Sequence, residues 1–203
     1  MPIAALIHWP GVQKKKADDP NNRARRGGSW KALKRLYAEG KCRSIGVSNY
    51  DVCHLEELRE EELASQQAEA VLPHVNQVEL HPFLAQRDLR LYCERHGIVV
   101  QGYSPFGSPT GKAELLGHET VREGAGAVGC SPAQFLLLWA TRQGISVIPK
   151  SITEEHIQQN MATLALLDVQ AEALEAQPQQ KAFAALGGLD RGQHFCWDPS
   201  IIK

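Results

Sequence analysis

The fold is indicated first by the segment Ser44-Ile45-Gly46-Val47-Ser48-Asn49, which reads as a short apolar strand that ends in polar residues. A helix with one apolar face precedes it, and an acidic helix is predicted over residues 51–70. The same alternation recurs along the chain, with strand ends near positions 8, 47, 78, 101 and 148. Repeated βα units with apolar strands predict an α/β fold with a parallel sheet buried on both faces. Right-handed crossovers permit either a barrel or an open doubly wound sheet. No GxGxxG motif follows a strand, so a Rossmann site is not supported.

Two segments are predicted to be loops. The first is a polar and basic loop over residues 12–28, which ends where Ser29 caps a helix. The second is the glycine-rich segment 106–130, a long loop after a strand. Residues 187–203 form a short C-terminal tail. Further helices are predicted over 86–96, 133–142, from about 153, and over about 171–186. We expect the whole chain, 1–203, to form a single domain.

Composition excludes several classes of protein. The 203 residues carry 22 Lys+Arg against 23 Asp+Glu, a formal net charge of −1, and 43% of them are hydrophobic. This balance provides no field that would attract nucleic acid or an anionic membrane, and no apolar run approaches the roughly 18–20 residues that span a bilayer. The five cysteines form no metal-ligand spacing, which predicts reduced thiols and no metal. We therefore expect a cytoplasmic protein without nucleic-acid or membrane partners.

Polar or aromatic residues follow all five predicted strands. In parallel α/β folds, the carboxyl ends of the strands meet where ligands bind. The pairs are His8-Trp9, Ser48-Asn49, Asn76-Gln77, Tyr103-Ser104 and Lys150-Ser151. Taken singly, each is also explained as a strand terminator, a helix cap or a core aromatic. Together, the carboxamides, hydroxyls, ring, cation and imidazole suit an amide-bearing ring with phosphate, which describes a nicotinamide dinucleotide.

Five motifs together resemble the aldo-keto reductase superfamily, with aldose reductase and its relatives as the nearest branch. They occur in the family's order, from about residue 4 to the C-terminus. They are Leu6-Ile7-His8-Trp9-Pro10-Gly11, Arg43-Ser44-Ile45-Gly46-Val47-Ser48-Asn49-Tyr50, Val75-Asn76-Gln77-Val78-Glu79-Leu80-His81-Pro82, Gly102-Tyr103-Ser104-Pro105-Phe106-Gly107-Ser108 and Ile148-Pro149-Lys150-Ser151-Ile152-Thr153. The resemblance implies a (β/α)8 barrel and NADPH-dependent, reversible reduction of a small aldehyde or ketone to an alcohol.

The resemblance also implies a role for each matching position. His8 would be catalytic, orienting and polarising the substrate carbonyl, and Trp9 would line the substrate pocket. Ser48, Asn49 and Gln77 would hold the nicotinamide carboxamide, and Tyr103 would stack on the nicotinamide ring. The loop of Ser104, Pro105, Phe106, Gly107 and Ser108 would close over the pyrophosphate. The positions for the 2′-phosphate and the adenine, which imply NADP(H) over NAD, are Lys150, Ser151, Thr153, His156, Gln159 and Asn160.

The chain departs from the family pattern in two respects. His156 stands where the family usually has arginine, and histidine lacks the bidentate fork, so we expect weaker or less selective NADPH binding. The family's proton-donating tyrosine and its lysine and aspartate partners precede the His-Trp-Pro strand, and only seven residues precede His8. The tyrosines that are present, none of which takes that place by motif, are Tyr37, Tyr50, Tyr92 and Tyr103.

The resemblance therefore implies strands four to eight of an incomplete barrel. Without the tyrosine, lysine and aspartate, we expect little or no turnover by this chain. Three explanations stay open. The sequence is an incomplete gene model, a non-catalytic fragment that binds a nucleotide or a protein, or a relic that does not fold.

Overall fold

The computed structural model describes residues 4–12, 14–65, 70–169 and 176–203. Its strands are Ala4–Ile7 (β1), Ser44–Ser48 (β2), Val75–Glu79 (β3), Val99–Tyr103 (β4) and Ser146–Ile148 (β5). Its α-helices are Asn22–Ala38 (α1), Val52–Ala64 (α2), Arg87–Arg95 (α3), Ser108–Gly117 (α4), Glu119–Val128 (α5), Pro132–Thr141 (α6), Glu154–Val169 (α7) and Gln177–Gly187 (α8), with a 3-10 helix at Pro199–Ile201. Of the helix predicted over 171–186, residues 171–175 lie outside the described residues.

The described strands form one sheet in the order β1-β2-β3-β4-β5, which is also their order along the chain. β1 pairs in parallel with β2, and β2 pairs in parallel with β3. The register places Leu6 opposite Gly46 and Ser48 opposite Gln77. At least one helix lies between each strand and the next. The predicted α/β fold with parallel strands is therefore confirmed.

Packing divides the chain into two compact units, where the sequence analysis treated residues 1–203 as one domain. The first unit comprises the described residues up to Val78, together with Arg87–Gln101 and Trp197–Lys203. The second comprises Glu79–Gln86 and the described part of Gly102–Cys196. Each unit has its own fully buried side chains. In the first they include Trp30, Ile45, Val47, Leu55 and Leu58, and in the second Phe83, Leu115, Phe135, Leu136 and Leu138.

The segment predicted as a basic loop over 12–28 is partly helical, because α1 begins at Asn22 and not near Ser29. Arg26 in this segment is buried, with 3% of its surface exposed. Its guanidinium donates to the carbonyls of Pro10 and Lys203 and forms an ion pair with Glu57. Some of the positive charge in this segment therefore faces inward and is paired, which charge and periodicity alone did not predict.

The prediction of a long loop over 106–130 is also corrected, because α4 and α5 occupy most of it. The glycines that suggested a loop allow close packing between helices and neighbouring rings. A Cβ at Gly111 would collide with the ring of Phe195, and one at Gly124 would collide with the ring of Phe135. Gly107 precedes α4 in the left-handed region with φ 81°, a conformation that favours glycine.

Within the described ranges, no helix is long and apolar enough to cross a membrane.

Candidate functional site

A hydrogen-bonded group joins the carboxyl ends of β1, β2 and β3 in the first unit. The Nδ2 of Asn49 donates to the carbonyl of His8 at 3.0 Å and to the Oγ of Ser48 at 3.1 Å. The Ser48 hydroxyl in turn donates to the carbonyl of Gln77 at 2.7 Å, and the Asn49 backbone N–H donates to the same carbonyl at 2.9 Å. The structure thus brings together four positions that sequence reasoning selected. We call Ser48, Asn49 and Gln77 the amide cluster.

The backbone at the end of β2 explains why asparagine stands at position 49. Asn49 has φ 62°, a left-handed conformation that asparagine adopts more readily than other non-glycine residues. The turn is held from the neighbouring strand, because Asn76 donates from Nδ2 to the Tyr50 carbonyl at 2.8 Å. Asn76 is fully buried. Since strand side chains alternate between faces, Asn76 supports the backbone on one face while Gln77 lies on the other.

Sequence reasoning missed the partner of Gln77. The Nε2 of Gln77 donates to the Oε1 of Gln101 on β4 at 2.6 Å. A carboxamide has two N–H donors and one acceptor oxygen, so this bond uses one donor and fixes which way the Gln77 amide faces. A polar residue inside an apolar strand was the signal that could have singled out Gln101.

His8 and Trp9 lie where β1 ends. His8 is exposed and Trp9 is half-buried. With Ile7 and one face of α1 they line an open cavity of about 1020 Å³ in the first unit. The turn that follows is fixed, because buried Arg26 donates to the Pro10 carbonyl at 3.2 Å. The structure therefore places the His8 imidazole at a solvent-accessible strand end.

In the second unit, Tyr103 ends β4 and the predicted pyrophosphate loop follows it. Tyr103 is half-buried, and its burial, with a smaller contribution from the Glu79 carboxylate, raises the pKa of its phenol. Ser104 and Ser108 both have positive φ, at 48° and 58°. The Gly107 N–H donates to the Ser104 carbonyl at 2.8 Å, which closes the loop into a tight turn.

The predicted 2′-phosphate and adenine positions follow β5 in the second unit. Lys150 is exposed, and the Ser151 hydroxyl lies 3.4 Å from the backbone nitrogen of Thr153. The Thr153 hydroxyl and the Nδ1 of His156 are 2.6 Å apart. Further along α7, Gln159 and Asn160 are half-buried, and Gln134 donates to the Gln159 carbonyl at 3.1 Å. The hydroxyls and the imidazole thus form one local group beside an exposed cation.

A buried carboxylate in the second unit was not predicted to have a role. Glu79 ends β3 with 1% of its surface exposed. Its oxygens accept from the backbone N–H groups of Phe195 at 2.9 Å and Cys196 at 3.1 Å. They also lie 3.2 Å from the Nε2 of His81 and 3.4 Å from the Nδ1 of His194. A carboxylate within a buried strand requires such partners, which was the signal available in the sequence.

The pKa of Glu79 reflects a balance between these effects. Burial opposes ionisation and would raise the pKa. The hydrogen bonds from His194, His81 and the two backbone N–H groups outweigh burial and lower it from the usual 4.5 to about 2. Glu79 is therefore ionised at neutral pH.

A parallel α/β fold with polar side chains at the carboxyl ends of its strands is typical of ligand-binding and catalytic proteins. Comparison with known sequences identifies the family within this broad class. The model of the aldo/keto reductase family matches residues 4–176, and the chain belongs to that family.

The relatives found in these comparisons are longer than this chain. A 9,11-endoperoxide prostaglandin H2 reductase of Trypanosoma cruzi is 43% identical over 76% of this chain and 48% of its own length. A glyoxal reductase of Bacillus subtilis is 42% identical over the same shares. The solved structure of a mutant of Gox0644 in complex with NADPH is 30% identical, with a TM-score of 0.76 over 99% of this chain and 64% of the other. The chain thus spans about half the length of these curated relatives.

Proposed function

We propose that this chain binds NADP(H) as strands four to eight of a (β/α)8 reductase barrel whose reaction is the reduction of small carbonyl compounds. The amide cluster is the observation that carries the proposal. A hydroxyl and two carboxamides lie side by side there, and these groups can both donate to and accept from a nicotinamide carboxamide. When bound, the nicotinamide would supply or accept a hydride, and the amide cluster would fix which ring face is presented.

The second unit offers groups for the phosphates. The turn from Ser104 to Ser108 supplies hydroxyls and backbone N–H groups, and Lys150 supplies a cation beside the hydroxyls of Ser151 and Thr153. Glu154 and Glu155 occupy the first turn of α7, where they oppose an anion electrostatically. Together with histidine at position 156, this supports only modest affinity for the 2′-phosphate.

We also propose that turnover by this chain alone is low. His8 would orient the substrate carbonyl, but a general acid needs a pKa near the working pH. Burial instead raises the pKa of Tyr50 and of Tyr103. It raises the pKa of Tyr92 to about 12. Tyr37 packs its ring edge-on against His74, with 5.1 Å between ring centroids. These environments support the alternative of a non-catalytic nucleotide-binding fragment. We also propose a cytoplasmic location, which the five free cysteines support.

The first prediction concerns cofactor binding and turnover. The purified chain is expected to change NADPH fluorescence saturably, and to bind NADH more weakly because NADH lacks the 2′-phosphate. Consumption of NADPH with a reactive aromatic aldehyde is expected to stay at the background rate. Absence of saturable binding would contradict the proposed cofactor site. Robust turnover that a His8→Ala substitution abolishes would contradict the proposed low activity.

The second prediction concerns the orientation of Gln77. Gln101→Met removes the acceptor for Gln77 at nearly constant side-chain length and is expected to weaken NADPH binding about three- to tenfold, as expected for one hydrogen bond. Gln101→Glu keeps an acceptor oxygen and is the matched control, with affinity expected near that of the wild type. Both variants should bind 2′,5′-ADP equally, because that ligand lacks the nicotinamide. Equal loss for 2′,5′-ADP would mean that Gln101 acts on the fold and not on the amide cluster.

A further inference from the structure

The Glu79 carboxylate organises a part of the chain that is remote in sequence. The backbone N–H groups that it accepts belong to Phe195 and Cys196, which lie 116 and 117 positions further along the chain. The two oxygens of this buried carboxylate thus accept from two N–H donors, and they also lie beside two imidazoles. We call residues 190–196 the strap.

The strap is held at its other end by the turn that follows β3. The Arg191 and Gln193 N–H groups donate to the Phe83 carbonyl at 3.2 and 3.0 Å. The Asp190 carboxylate accepts from the Ala85 N–H at 3.2 Å. The Arg191 guanidinium also lies over the Phe83 ring, 3.9 Å from its centroid. The strap is therefore fixed on both sides of Phe195.

At the end that Glu79 holds, the strap lies against the turn that follows β4 and against the start of α4. A Cβ at Gly107 would come within 3.0 Å of the Phe195 ring, and one at Gly111 would collide with it. The hydroxyls of Ser108 and Thr110 donate to the Phe195 carbonyl at 3.3 and 3.4 Å. The Ser104 Oγ lies 3.5 Å from the Cys196 Sγ. Phe195 thus touches this turn through both its ring and its carbonyl.

The turn itself needs such support. Ser104 and Ser108 both have positive φ, and non-glycine residues keep that conformation only where surrounding contacts determine it. The contacts to Phe195 and Cys196 are of this kind. Their position depends on the carboxylate that binds the Phe195 and Cys196 N–H groups.

We propose that Glu79 is a positioning residue for cofactor binding. It acts through the strap to hold the turn from Ser104 to Ser108 and the start of α4, up to Gly111, in the conformation that contacts the pyrophosphate. The inference rests on the proposed function, because it assigns the turn to that part of NADP(H). It adds that the affinity of the turn is set by the C-terminal segment and its carboxylate anchor.

The test compares two strap variants with one control in the full 203-residue chain. Phe195→Ala removes the ring from the turn, and Glu79→Gln removes the charge while keeping one acceptor oxygen. Phe183→Ala is the control, because Phe183 stacks on Phe135 in the same unit, with 4.9 Å between ring centroids, and has no part in the strap. The measurements are NADPH dissociation by stopped-flow fluorescence, the Kd of adenosine 2′-monophosphate, and hydrogen exchange of the amides of residues 107–111 without nucleotide.

Both strap variants are expected to release NADPH about tenfold faster, since most affinity changes appear in the dissociation rate. They should bind adenosine 2′-monophosphate as the wild type does, because that ligand lacks both phosphates of the pyrophosphate. Exchange at 107–111 should accelerate in both and stay unchanged in Phe183→Ala. Unchanged exchange in Phe195→Ala and Glu79→Gln would overturn the inference whether or not the chain binds NADPH. Faster exchange together with a wild type that binds no NADPH would support the strap and refute the proposed function.

Discussion

Replacing Glu79 with leucine is expected to lower the free energy of unfolding by about 3–5 kcal/mol, as breaking a buried ionic group does. The leucine would fill much of the space, but the N–H groups of the half-buried Phe195 and Cys196 would lose their acceptor. His81 and His194 would lose their shared partner as well. The measurement is urea denaturation at neutral pH, followed by circular dichroism and by tryptophan fluorescence.

The matched control is Glu114→Leu in the same unit. Glu114 pairs with Arg191, but their side chains are 50% and 45% exposed, and exposed ion pairs contribute about 0–1 kcal/mol. The control should therefore unfold close to the wild type. Equal destabilisation by the two substitutions would show that the buried contacts of Glu79 contribute no more than a surface pair.

The contribution of Glu79 to the free energy of unfolding is also expected to depend on pH. The folded-state pKa of Glu79, about 2, lies below the usual 4.5, so ionised Glu79 stabilises the folded chain. This contribution is complete above about pH 4.5 and is lost as the pH falls toward 2. The stability gap between wild type and Glu79→Leu should shrink by about 3 kcal/mol across that window, at about 1.4 kcal/mol per pKa unit. A gap that is as wide at pH ~3 as at pH ~7 would assign the stabilisation to packing alone.

Gly46→Ala is expected to destabilise the first unit by about 3 kcal/mol, near the upper end for an overpacked core. Gly46 lies in the middle of β2, between Leu6 of β1 and Val75 of β3. A Cβ there would collide with the Val75 carbonyl and would lie 2.8 Å from the Leu6 Cδ2. Because the carbonyl belongs to a strand backbone, relief requires the strands to move apart.

Gly28→Ala is the control for this substitution. Gly28 is exposed inside α1, and a Cβ there would meet no atom within 4 Å. The change should stabilise the chain by about 0.5–1 kcal/mol, because alanine favours helix. A lower urea midpoint for Gly46→Ala and a higher one for Gly28→Ala would support close packing at Gly46 and free space at Gly28. A neutral Gly46→Ala would mean that β2 can shift within the sheet at little cost.

The polar residues at the strand ends are the part of the candidate site that is predictable from sequence. Ser48 and Asn49 were selected because they stop an apolar strand, and the structure places them in contact with Gln77 and with the His8 carbonyl. Such positions are predictable, since a change from apolar to polar residues marks where a strand leaves the core. The roles of these residues toward a cofactor remain predictions.

The helical glycines and the basic segment show where prediction from sequence was wrong. Gly111 and Gly124 indicated a loop by composition, but each lies where a phenyl ring approaches a helix. Arg26 indicated a solvated loop, but it is buried and paired with Glu57. Propensity describes a residue without its neighbours, and in these cases the neighbour is distant in sequence and decides the local structure.

The alternation of strands and helices and the polar residues at the strand ends are predictable from sequence, because periodicity and the change from apolar to polar residues are local properties. The motifs are also sufficient to recognise the family. The partners of these polar residues follow only from the folded chain, as with Gln101 for Gln77 and the N–H groups of Phe195 and Cys196 for Glu79. A buried polar group must find a partner, but the position of that partner depends on how segments distant in sequence pack together.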